Sequence, residues 1–93
     1  MVIGTLELEL RFSKPQSLKE KRMILKSLVT RIRNQFNVTI AEIDGMDLWQ
    51  TSSLAIASIG RETKHVNEIL DHVTDFIWSI RDVEIIDHSL SIF

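Results

Sequence analysis

The chain has no cysteine, a single proline and three glycines. Without cysteine it can form no disulfide framework, thiol nucleophile or zinc–cysteine site. So few glycines, and no Gly-x-x-x-x-Gly-Lys run, exclude a nucleotide-cradling phosphate loop. No apolar stretch has the length a membrane helix needs, and Met1 leads directly into a strand-like alternation instead of a signal peptide. The expectation is a cytoplasmic protein with no membrane partner.

What is present suits one domain over residues 1–93: 44% of residues are hydrophobic, enough for a core that needs no metal or cross-link. Leu6, Leu8, Leu10 and Phe12 alternate with Glu7, Glu9 and Arg11, the period of a strand with one buried face. Pro15 ends that pattern, and Ser17 with Glu20 three residues later forms a capping box for a helix reaching about Asn34 or Gln35. Leu18, Leu25, Leu28, Val29, Ile32 and Phe36 recur on one side of it.

Asn37–Asp44 and Leu54–Ile59 read as two strands of a hairpin with a long loop that begins at Asp44-Gly45. A second helix opens at Glu62-Thr63 and carries Val66, Ile69, Leu70, Val73, Ile77 and Ile80 on one face. Val83–Phe93 is the closing strand, and the adjacent Ile85 and Ile86 mark a bulge in it. The order β-α-β-β-α-β predicts an α+β, ferredoxin-like fold, with two helices on one face of a four-stranded antiparallel sheet. Strands one and four are expected as neighbours, with the two middle strands at the edges.

Net charge is only -2, yet residues 11–33 hold eight cations against the one acid Glu20, while residues 34–93 hold three cations against ten acids. Such a dipolar chain orients toward polyanions more strongly than its net charge suggests. With Leu18 at zero on a helical wheel, Arg22, Arg33, Lys26 and Lys19 fall at about 40°, 60°, 80° and 100°, one stripe beside the apolar face. Lys21 belongs to the same basic run, and Arg11 and Lys14 precede the helix. Free N–H groups at Leu18, Lys19 and Glu20 complete an expected phosphate seat at the helix mouth. Arg11, Lys14, Lys19, Lys21, Arg22, Lys26 and Arg33 are therefore the candidate RNA-binding residues. No helix-turn-helix or zinc pattern accompanies them, and the exposed face of the first strand lacks an aromatic for base stacking, so structured RNA read through its backbone is the expected ligand. The competing account is a solvated helix whose cations pair with the acidic remainder of the chain.

Glu42, Asp44 and Asp47 cluster in the hairpin, but Asp44-Gly45 is explained by turn chemistry and the loop lacks the regularity of a calcium site, so no metal is assigned. His65 and His72 do not have zinc spacing. The serines and threonines have no credible His/Asp partnership, and Ser13–Gln16 lacks the glycine-bearing cradle an acylphosphatase-like enzyme uses on this fold. No catalytic residue or cofactor is assigned, and the chain reads as non-enzymatic. Trp49 in the hairpin loop and Trp78 on the second helix are candidate protein-interface residues. They support an alternative reading as a homodimeric interaction module. A small metal-dependent enzyme using the hairpin carboxylates is a third.

Three segments, "QSLKEKRMILKSL", "FNVTIAEIDGMDLWQ" and the closing strand, resemble the YlxP-like family of small bacterial proteins, long described as a domain of unknown function. The resemblance spans essentially the whole chain. It implies a ferredoxin-like fold and, because genes of that family often lie beside those for translation initiation and ribosome-maturation factors, an association with ribosomal RNA or a ribosomal subunit. It supplies no catalytic residues.

Overall fold

The computed structural model describes residues 1–93. The elements follow the expected order: β1 (Val2–Phe12), α1 (Leu18–Gln35), β2 (Thr39–Asp44), β3 (Thr51–Gly60), α2 (Thr63–Trp78) and β4 (Val83–Ile92). All pairings are antiparallel and the sheet order is β2-β3-β1-β4. The fold is the expected ferredoxin-like α+β arrangement.

One expectation about the sheet is overturned. β1 and β4 do pair, but the middle strands are not both edges: β3 is interior beside β1, and the edges are β2 and β4. The crossover from β1 through α1 leaves a one-strand gap before β2. β3 fills that gap because it pairs with both flanking strands at once. β3 also begins earlier than its apolar residues suggest, at Thr51, because Ser52 faces the core and pairs with Leu10 on β1.

Both helices bury one stripe on the same sheet face. Leu6, Leu8, Leu10 and Phe12 meet Leu54 and Ile56 of β3, Leu25, Leu28 and Ile32 of α1, and Val66, Leu70, Val73 and Ile77 of α2 in one core. The odd-numbered β1 residues face away from the helices, so the outer face carries Glu7 and Glu9 beside the small Ala55 and Ser53 of β3. α2 crosses β1 at Gly4, where a Cβ would lie 2.5 Å from Val66 Cγ1 and 2.8 Å from Leu70 Cδ1. Ile86 is the extra residue of the expected bulge: Leu10 pairs with Ile85 while Glu9 pairs with Asp87.

The helix ends are built differently. Ser17 Oγ accepts the Glu20 N–H at 3.1 Å, and the Glu20 carboxylate accepts the Gln16 N–H at 2.7 Å, so the capping box closes one residue further out than usual. The N-cap of α2, Glu62, makes no side-chain cap bond. After α2, Asp82 takes a left-handed φ of 68° and its carbonyl accepts the Ser13 N–H, tying the start of β4 to the end of β1. No helix is long and apolar enough to cross a membrane.

Candidate nucleic-acid interface

Because α1 buries the sector near Leu25, Leu28 and Ile32, its two flanks face different surroundings. On one flank Arg33 reaches the edge strand and donates to the Ile40 carbonyl at 3.0 Å. On the other, Arg31 lies over the Phe76 ring of α2, 5.2 Å from its centroid. Lys19, Arg22, Lys26 and Arg33 share the β2 flank and the adjoining outer surface. They run over about 21 Å of helix at 1.5 Å per residue. Lys19, Arg22 and Lys26 are exposed and take no part in the three ion pairs of the molecule.

The other candidates are dispersed. Arg11 lies on the outer sheet face, turned away from α1, and sits 4.0 Å from Glu84 with both side chains mostly exposed. Lys14 pairs with Asp82 at 3.3 Å on the α2 flank. Of the three N–H groups expected to form a phosphate seat at the mouth of α1, the one at Glu20 is engaged within the chain, by Ser17. The Glu20 carboxylate stands at the same mouth, where it repels an anion.

Lys21 requires the largest correction. It is not a surface cation: its residue exposure is 0%, and its Nζ donates to Glu42 Oε2 and to the Gly45 carbonyl, each at 2.8 Å. Ser52 Oγ completes the group by donating to the same Glu42 oxygen at 2.5 Å. A buried ammonium without these partners would be strongly disfavoured. Its position was readable in the sequence. On the wheel it lies near 300°, in the sector of Leu28, Ile32 and Leu25, a lysine at a core position.

That lock also engages one of the three hairpin carboxylates. Glu42 is committed to Lys21 and Ser52, and Asp44 Oδ1 accepts the Gly45 N–H at 2.8 Å, so the two do not converge with Asp47 on a common point. The Gly45 carbonyl accepts from Leu48 N as well as Lys21, and the Gln50 carbonyl accepts from Phe12 N, which pins both ends of the loop. Between these anchors Met46, Leu48 and Trp49 project with exposures of 50%, 55% and 47%. Trp78 is likewise more than half exposed at the end of α2.

Topology and charge together define a small ferredoxin-like α+β domain whose first helix carries an unpaired cationic stripe on one flank. The chain belongs to the DUF503 family, described as proteins of unknown function, whose family model matches residues 3–90. It is similar to the uncharacterized protein YlxP of Bacillus subtilis (strain 168), with 40% identity over 83 residues, covering 89% of this chain and 90% of that protein. The resemblance drawn from the three segments is borne out by both.

Proposed function

We propose that this protein is a non-enzymatic RNA- or ribosome-associated accessory protein that seats the α1 stripe on a phosphate ridge. The observation carrying this reading is that Lys19, Arg22 and Lys26 stand on one helix flank, exposed and in no ion pair, in a chain of net negative charge whose Arg11, Lys14 and Lys21 are each paired with an acid. A phosphate backbone relieves the mutual repulsion of such a row and releases condensed counterions. Ribosomal RNA is the polyanion that the translation-linked setting of similar proteins points to. Arg33 joins the contact only with donors not engaged by the Ile40 carbonyl.

Co-sedimentation of the purified protein with ribosomal subunits at low and moderate salt tests this. Binding should weaken with salt along a log–log slope of about -2 to -3, as three phosphate contacts require. A variant with Lys19→Glu, Arg22→Glu and Lys26→Glu should lose binding while its thermal transition remains. Binding that is flat with salt, or equal in a folded triple variant, refutes the proposal.

A further inference from the structure

The projecting hairpin loop and a cleft lie at the same pole, on opposite sides of the end of β1. Gln50 is bonded to Phe12, the last residue of β1, and Asp82 to the following Ser13, so the β2–β3 loop and the α2–β4 turn flank the end of that strand. The cleft, about 420 Å³, runs between α1 and that turn and is lined by Phe12, Pro15, Ile24, Ile80 and Val83. It continues along α1 past Met23 and Ser27. Lys14, Arg31 and Arg81 also line it, against the single acid Asp82. The loop has the complementary character: exposed Met46, Leu48 and Trp49, with the exposed acids Asp44 and Asp47 and no cation between Ile43 and Gln50.

We infer that this pole is a self-complementary docking surface, where the Met46–Trp49 loop of one copy of the chain enters the α1/α2–β4 cleft of a second copy, and reciprocally. The occupant is a second copy because apolar character and charge sign match between two surfaces of the same molecule. Two surfaces at one pole can both be satisfied across a two-fold axis. The Lys21–Glu42 lock and the Gln50 bond hold the loop in shape before association, which lowers the ordering cost of docking. Exposed aromatic and aliphatic side chains held in this way are the usual anchors of an interface. Lys19, Arg22 and Lys26 lie on the other flank of α1 and take no part.

Sedimentation equilibrium of the full chain, with the single variants Asp47→Arg and Arg81→Asp, tests the inference. The parent should dimerise with concentration, and each variant should dimerise at least about tenfold more weakly, because each sets like charges face to face. Mixing the two variants should restore association as a heterodimer. The loop bearing Asp47→Arg then meets the cleft bearing Arg81→Asp, while the unaltered loop meets the unaltered cleft. A second reading comes from Trp49 fluorescence in a Trp78→Phe background, which should shift to the blue as the parent associates. A parent that stays monomeric, a dimer indifferent to both substitutions, or a mixture no stronger than its components overturns the inference.

Discussion

Replacing Glu42 should harm this protein more than replacing Lys21, although the two form one ion pair. Lys21 has a side chain only 1% exposed and Glu42 one that is 21% exposed. Across 2.8 Å, at an effective dielectric near 20, their attraction is about 6 kcal/mol before the desolvation cost is subtracted. Glu42→Gln leaves a buried ammonium with only neutral acceptors, a loss of about 3–5 kcal/mol. Lys21→Met leaves a carboxylate that keeps the Ser52 hydroxyl and partial access to water, so the loss is nearer about 1–3 kcal/mol. The double variant Lys21→Met/Glu42→Leu removes both charges and should return to within about 1 kcal/mol of the parent. Urea unfolding followed by tryptophan fluorescence gives all four values. Hydrogen exchange at the Leu48 amide, which donates to the carbonyl that Lys21 holds, should quicken in Lys21→Met. Equal losses below about 0.5 kcal/mol in the two single variants, or a double variant as unstable as the singles combined, would refute the reasoning.

Three further outcomes follow from the packing. Gly4→Ala should destabilise by about 1–3 kcal/mol in urea unfolding, because the added methyl meets the stiff, branched Val66, and Val66→Ala in the same chain should recover part of that loss. Ser58→Ala should stabilise by about 1 kcal/mol in the same assay, since the Ser58 hydroxyl is buried without a partner. Ser17→Ala should lower the thermal midpoint through a loss of about 1 kcal/mol at the α1 cap, with a smaller effect if Gly replaces it.

Much of the architecture was legible because its signals are local. The alternation around Leu6–Phe12, the capping box at Ser17 and Glu20, and the doubled isoleucine at the bulge each report on neighbours a few residues apart. The site was less legible. Grouping cations by their nearness in sequence joined Arg11, Lys14 and Lys21 to a stripe that contains none of them. Strand parity places Arg11 on the outer sheet face, and helical phase places Lys21 in the core, two periodicities that outweigh charge similarity. The polar start of β3 was missed for a related reason: Ser52 looks like loop chemistry until Glu42, ten residues away, supplies its partner.

The order of elements, the buried face of each and the presence of a basic segment follow from local pattern, because the periods of strand and helix are properties of the backbone. Which distant segments meet put β3 inside the sheet and brought Lys21 to Glu42 and the Gly45 carbonyl of the hairpin. Tertiary structure also decided that an acidic, apolar loop and a basic, apolar cleft share one pole. A local pattern states which face of an element must be covered, and only the folded chain determines what covers it.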